Sequence, residues 1–212
     1  LRRLRVTILC IVPALARALL AELDAFSTPD ELDSGRLLPD LRLCYCGGAA
    51  LPREVLWGLI AHGFPVVEGY GATECTGLIS ANPLRMRQPG TVGRIYPSCR
   101  VRIASDGEIQ VSGGNVMSGY WQDPAATQAV MTVDGWFCTG DLGTLSDDGY
   151  VTVYGRKKSL LLLENGKKIF PEELEEQLEQ LPAVTEALAY TEENRLCVLV
   201  FSTDIPAAKQ SL

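Results

Sequence analysis

The spacing of apolar residues near the start of the chain changes at Pro13. Before it, Val6–Val12 is a short run crowded with β-branched side chains, the composition of a buried strand. After it, Ala14–Phe26 is built mainly of Ala, Leu, Glu and Arg, with charges interrupting the apolar positions, and this predicts an amphipathic helix. Pro13 is expected at the turn between them. Residues 27–40 are polar and carry two prolines and a glycine, as a surface loop does. Leu41–Cys46 reads as a short strand running into Gly47-Gly48-Ala49-Ala50. A helix is expected from Pro52, a residue suited to a first helical turn, to about His62. Pro65–Glu68 reads as another strand, ending at a Gly69-Tyr70-Gly71 turn. Strand and helix in alternation imply parallel βαβ packing. Residues 1 to about 80 therefore read as the end of a doubly wound α/β domain.

The pattern shortens after Asn82. Gly90, Gly93, Gly107, Gly113, Gly114 and Gly119 punctuate short strands, and Ser105-Asp106-Gly107 is a hairpin turn between Val101–Ala104 and Glu108–Ser112. A short helix, Ala125–Met131, is expected after Asp123-Pro124, an N-cap followed by a first-turn proline. This stretch reads as a β-rich subdomain, a distorted barrel. Beyond Arg156 the pattern gives a strand (Leu160–Leu163), a tight turn (Asn165-Gly166), a helix opened by Pro171 (Glu172–Leu181) and two strands (Val184–Tyr190, Leu196–Phe201). The fold class is thus α/β plus α+β. Three parts are expected: 1–87, 88–157 and an incomplete α+β piece, 158–212, whose exposed sheet edges favour association.

Composition narrows the function. The formal net charge of −7 argues against a nucleic-acid partner held by phosphate neutralisation. The apolar content of 47% and charged content of 21% are those of a globular chain. Leu1-Arg2-Arg3-Leu4-Arg5 and the apolar run behind it mimic a secretory leader, but Pro13 and Arg17 break the run. No stretch reaches the roughly 18–20 apolar residues of a membrane span. Seven scattered cysteines and one histidine, without metal-type spacing, point to reduced thiols and a cytoplasmic location. A nucleophilic Cys75 or Cys138 with His62 is the alternative those residue types leave open.

Three short polar motifs carry candidate chemistry. Tyr70-Gly71-Ala72-Thr73-Glu74 follows a strand end, where open α/β sheets bind ligands. A Tyr there can stack a purine, a Thr hydroxyl can donate to a phosphate oxygen, and a Glu can hold Mg²⁺. Gly47-Gly48-Ala49 also follows a strand, and absent side chains let a flat base approach the backbone. Thr139-Gly140-Asp141 offers a carboxylate that can accept from two ribose hydroxyls. Taken singly, Gly47-Gly48-Ala49 is also a simple strand-to-helix turn, the other two are ordinary turns with a surface or capping carboxylate, and Arg156 is an ordinary salt-bridging arginine.

In combination and order they are more specific. Gly69-Tyr70-Gly71-Ala72-Thr73-Glu74, Gln88-Pro89-Gly90-Thr91-Val92-Gly93, Met117-Ser118-Gly119-Tyr120, Asp134-Gly135-Trp136, Thr139-Gly140-Asp141, Gly155-Arg156-Lys157-Lys158 and Asn165-Gly166-Lys167-Lys168 together resemble the adenylate-forming superfamily of acyl-CoA synthetases, luciferases and peptide-synthetase adenylation domains. The segment Gly155–Glu175 is most similar to bacterial long-chain acyl-CoA synthetases.

The resemblance implies site residues. Gly47, Gly48 and Ala49 lie against adenine; Tyr70 and Gly71 flank the base; Thr73 meets phosphate; Glu74 holds Mg²⁺. Asp141 and Arg156 reach the ribose, Lys158 is the hinge of the C-terminal domain, and Gly166 belongs to the loop of the second half-reaction, where Lys167 and Lys168 meet CoA phosphates. It also implies the reaction, in which a small-molecule carboxylic acid, expected to be a fatty acid, is activated with ATP–Mg²⁺, pyrophosphate is released, and the acyl group passes to CoA. The family's phosphate-cradling loop and C-terminal catalytic Gly-Lys are not in this sequence. The expectation is therefore a fragment of a longer ligase that adenylates nothing efficiently alone. The alternatives are a peptide-synthetase-type adenylation domain and a non-catalytic, truncated nucleotide-binding relic.

Overall fold

The computed structural model describes residues 5–25, 38–49, 51–163, 167–181, 183–192 and 195–205. Its elements, in chain order, begin with β1 (Ile8–Ile11), α1 (Pro13–Ala25), β2 (Leu43–Cys46), α2 (Arg53–Ala61), β3 (Val66–Tyr70), β4 (Ser80–Ala81) and β5 (Arg94–Ile95). There follow β6 (Cys99–Ile103), β7 (Glu108–Gly113), α3 (Pro124–Val130), β8 (Phe137–Leu145) and β9 (Val151–Arg156). The remainder comprises β10 (Leu161–Leu162), β11 (Lys168–Ile169), α4 (Pro171–Glu179), β12 (Glu186–Glu192) and β13 (Arg195–Phe201). The expected loop at 27–40 and the Asn165-Gly166 turn fall largely outside the described residues.

The chain divides into two compact units, Leu1–Thr139 with Thr144–Val153, and Gly140–Gly143 with Tyr154–Leu212. In the first unit β1, β2 and β3 pair in parallel, as the βαβ reading requires. Pro13 opens α1 rather than sitting in a turn, and the Ala16 amide already donates to the Val12 carbonyl at 3.0 Å. Its missing N–H costs nothing there, because first-turn amides have no intrahelical acceptor. Cys44 and Cys46 alternate onto the buried face of β2 and join Ala16, Leu23, Val55, Leu59 and Val66 in one apolar core. Helices α1 and α2 meet where Gly58 has no side chain; a Cβ there would lie 2.7 Å from Leu20 Cδ2.

The parallel sheet then continues antiparallel through β4 and β5, giving the order β1-β2-β3-β4-β5. The sequence pattern did not show this, because two-residue strands carry no periodicity. Strands β6 and β7 form the expected hairpin, in register from Cys99↔Gly113 to Ile103↔Ile109. They belong to a four-stranded sheet of order β6-β7-β8-β9, a half-barrel. Its core includes Cys75, Ile79, Val101, Ile109, Val111, Phe137 and Val151. Asp123 caps α3, its Oδ1 accepting from the Ala126 amide at 2.9 Å. Thr139-Gly140-Asp141 lies inside β8 rather than in a turn, because the alternation of buried positions there runs through the polar residues as well.

The second unit is an α+β piece. Strands β10 and β11 pair antiparallel, and β12 and β13 form a seven-residue antiparallel ladder from Glu186↔Phe201 to Glu192↔Arg195. Helix α4 packs on β12, and the Ala189 amide donates to the Glu175 carboxylate at 2.8 Å. Among the described residues no helix is long and apolar enough to cross a membrane.

Leu59 is fully buried in the first unit's core. Leu59→Ala should cost about 2–5 kcal/mol of that unit's stability, read as a fall in denaturant midpoint.

Candidate functional site

Where β2 and β3 run side by side, one side chain occupies the space that two glycines leave. A Cβ on Gly47 would lie 3.0 Å from Tyr45 Cε1, and one on Gly69 would lie within 2.5 Å of the same ring. The smallness of Gly47 therefore admits Tyr45, a residue the sequence reading did not single out. Gly48 differs. It is exposed, has φ +91°, and a Cβ there would meet only Val12 Cγ1 at 3.9 Å. Gly48 and the exposed Ala49 are the part of this segment open to a ligand.

The next segment is held tightly. Tyr70 ends β3, half-buried, with its side chain against the second apolar cluster. Gly71 then passes the returning chain so closely that a Cβ would lie 2.2 Å from the Gly77 carbonyl oxygen. Between these points Thr73–Cys75 form a single 3-10 turn. The amides of Cys75 and Gly77 both donate to the Ala72 carbonyl, at 2.9 and 3.0 Å, and the Ile79 amide donates to the Tyr70 carbonyl at 2.8 Å. Thr73 is exposed on this turn and Glu74 is half-buried beside it. One Glu74 oxygen, Oε1, accepts from the Tyr120 hydroxyl at 2.7 Å. That bond raises the Tyr120 phenol above its ordinary range.

Glu68, just before this segment on β3, was not singled out from sequence either. Burial pushes its carboxyl up to about 7, and Arg87 offsets part of the rise. The Arg87 Nε is itself buried without a hydrogen-bond acceptor among the described residues. A signal was available in sequence, since Glu68 sits in a run of otherwise apolar strand residues.

In the second unit Asp141 is 7% exposed, and its Oδ1 pairs with Arg156 Nε at 3.1 Å. Arg156 comes from β9, and the Lys157 amide donates to the Gly140 carbonyl at 2.8 Å, which sets Arg156 beside Asp141. The Asp141 carboxylate is thus fixed by strand geometry, while the Arg156 side chain remains 63% exposed. Lys158 is exposed in the turn after β9, which the Ser159 amide closes onto the Arg156 carbonyl at 3.1 Å. Lys167 and Lys168 are exposed, and Gly166 lies outside the described residues. Thr139 has an architectural role in the first unit, where its hydroxyl donates to the Ile109 carbonyl at 2.8 Å.

For Cys75 the cysteine-nucleophile alternative does not survive. Cys75 is fully buried, and burial pushes its thiol up to about 11. His62 makes its hydrogen bond with Asp24 at 2.8 Å. Among the described residues no three potential ligands gather as a metal cage.

The family model for AMP-binding enzymes matches residues 1–121. The chain belongs to that family. This is the adenylate-forming superfamily to which the motifs point. The chain is 40% identical over 147 residues to the long-chain-fatty-acid–CoA ligase FadD15 of Mycobacterium tuberculosis, covering 69% of this chain and 24% of the relative. It is 34% identical over 194 residues to the indoleacetate–CoA ligase of Aromatoleum aromaticum, covering 86% of this chain and 36% of the relative. Among solved structures it resembles the o-succinylbenzoate CoA synthetase MenE of Bacillus subtilis in complex with AMP. That likeness has a TM-score of 0.80 at 28% identity, over 99% of this chain and 44% of the other. The ATP-bound MatB of Rhodopseudomonas palustris matches with a TM-score of 0.73 at 33% identity, over 87% of this chain and 37% of the other. The chain thus spans less than half the length of these relatives.

Glu68 supplies a pH test. Folded, its carboxyl keeps a proton up to about pH 7; unfolded, it releases it near 4.5. The folded state binds more protons across that window, so stability falls as pH rises through it. At about 1.36 kcal/mol per pH unit the loss is at most about 3 kcal/mol. Glu68→Gln should match the unmodified chain at about pH 4 and exceed it at about pH 8. Denaturant midpoints at the two pH values measure this, and equal midpoints at pH 8 would contradict it.

Proposed function

We propose that this chain is part of an AMP-forming acyl-CoA synthetase. The observation that carries the reading is Asp141, a buried carboxylate held on β8 and paired with an arginine whose side chain remains open to solvent. A buried, prepositioned carboxylate suits a ribose, whose two hydroxyls donate in charge-assisted hydrogen bonds. Arg156, 63% exposed, can follow the ribose and phosphate without leaving Asp141. Thr73, exposed on its 3-10 turn, offers a hydroxyl to the phosphate, and Gly48 with Ala49 offers an open backbone to the base.

Glu74 fits a magnesium ion. It brings one hard oxygen ligand with no cage of further ligands among the described residues, the arrangement Mg²⁺ adopts when phosphates and water complete its shell. Bound there, the ion would neutralise charge on the phosphates. The acid's carboxylate oxygen attacks the α-phosphorus of ATP and pyrophosphate leaves. The thiol of CoA then attacks the acyl carbon, and AMP leaves. In this reading Lys158 marks the hinge between the two half-reactions, and Gly166, Lys167 and Lys168 belong to the loop and surface that meet CoA. The division 1–87, 88–157 and 158–212 is part of the same proposal.

The substrate we favour is a fatty acid, supported by the 40% identity to a long-chain-fatty-acid–CoA ligase. A specific observation supports an aryl acid as the second reading, namely that the indoleacetate ligase matches over the larger share of this chain. We place the activity in a cytoplasmic protein of which this chain is a part; this chain alone adenylates nothing efficiently.

Asp141→Ala should weaken AMP binding by roughly 1.5–3 kcal/mol, the range for hydrogen bonds to a charged group. Calorimetric titration of the chain with AMP measures it, and an unchanged affinity removes Asp141 from the ribose. Pyrophosphate exchange in the longer protein, dependent on fatty rather than aryl acids, separates the two substrate readings.

A further inference from the structure

Glu74 is held by residues far away in sequence. Its carboxylate accepts from Tyr120, and its backbone carbonyl accepts from the Met117 amide at 2.7 Å. Two residues before Met117, Asn115 closes on the same loop. Its Nδ2 donates to the carbonyls of Cys75 and Leu78 at 3.2 and 3.3 Å, and its own carbonyl accepts from the Thr76 hydroxyl at 2.7 Å. The segment from Asn115 to Tyr120 is therefore stitched to the turn that presents Thr73 and Glu74.

The other end of the segment is anchored as firmly. The Tyr120 amide donates to Thr127 Oγ1 at 2.9 Å, and the Thr127 hydroxyl donates to the Asp123 carbonyl at 2.8 Å. Gly119, with φ +150°, lets the chain lie against Thr127; a Cβ there would be 3.0 Å from both Oγ1 and Cγ2. Thr127 sits on α3, whose first turn Asp123 caps. A continuous chain of bonds thus runs from α3 through Thr127 and the Tyr120 backbone to the phenol and the Glu74 carboxylate.

We propose that Tyr120 is a positioning residue for Glu74, fixing one carboxylate oxygen so that the other is presented as a single hard ligand to a divalent cation on a bound nucleotide. The inference rests on the magnesium reading of Glu74 above. The chemistry follows from the donor set. A phenol donating to Oε1 engages one lone pair of that oxygen and leaves Oε2 for the ion. It also removes the rotamer freedom of a long side chain before the ion arrives, so that freedom is not lost on binding. Partners that orient a metal ligand in this way typically change metal affinity 10–100-fold when removed.

The test uses the full-length ligase that contains this chain, with Mn²⁺ and ATP as probes. Electron paramagnetic resonance gives the Mn²⁺ dissociation constant in the nucleotide complex, and calorimetry in EDTA gives the metal-free AMP affinity. Tyr120→Phe should raise the Mn²⁺ dissociation constant about 10-fold and leave AMP affinity unchanged. On a Glu74→Ala background the same change should add nothing. If Glu74→Ala weakens Mn²⁺ but Tyr120→Phe does not, the positioning role is overturned and the magnesium reading stands. If neither variant moves Mn²⁺, both fall. If Tyr120→Phe weakens AMP as much as Mn²⁺, Tyr120 supports the fold alone and the proposal is overturned.

Discussion

The close passage of the backbone at Gly71 against the Gly77 carbonyl is the constraint on which the phosphate-facing part of this protein depends. No side chain fits between them, since a Cβ would lie 2.2 Å from the carbonyl oxygen. Because the strands approach that closely, the Ile79 amide reaches the Tyr70 carbonyl and the chain reverses into β4 within a few residues. The reversal converts a parallel sheet into an antiparallel one and leaves a single 3-10 turn at the strand's carboxyl end. Thr73 and Glu74 are on that turn, so their placement follows from backbone geometry before any side-chain contact is made.

Elsewhere the same device acts in the opposite sense. Gly47 follows β2 and Gly69 lies on the adjacent β3, and both leave room for the ring of Tyr45. Glycine in a ligand-binding motif is thus not by itself evidence that a ligand fills the space. Here one glycine of the pair Gly47-Gly48 serves internal packing and its neighbour faces outward. Asp141 and Arg156 illustrate a second route to preorganisation. Strand alternation buries the carboxylate, and the residue before the β9 turn supplies the counter-charge. A buried carboxylate is tolerable only if it is paired.

What sequence determined was local. The βαβ order, the Asp-Gly hairpin, the capped helix after Asp123 and the helix opened by Pro171 were all legible, because each depends on periodicity or on residues within one turn of the element. The motif order was also legible, and with it the family. Tertiary structure decided what depends on contacts across long separations. Strands β4 and β5 are too short to carry a pattern, so only pairing reveals them. Thr139-Gly140-Asp141 reads as a turn by composition and lies inside β8, a strand whose pairing only the fold reveals. Burial raises Glu68, and Tyr120 reaches Glu74 across 46 positions. Neither effect has a local signature, since both depend on desolvation and distance, which exist only once the chain has folded.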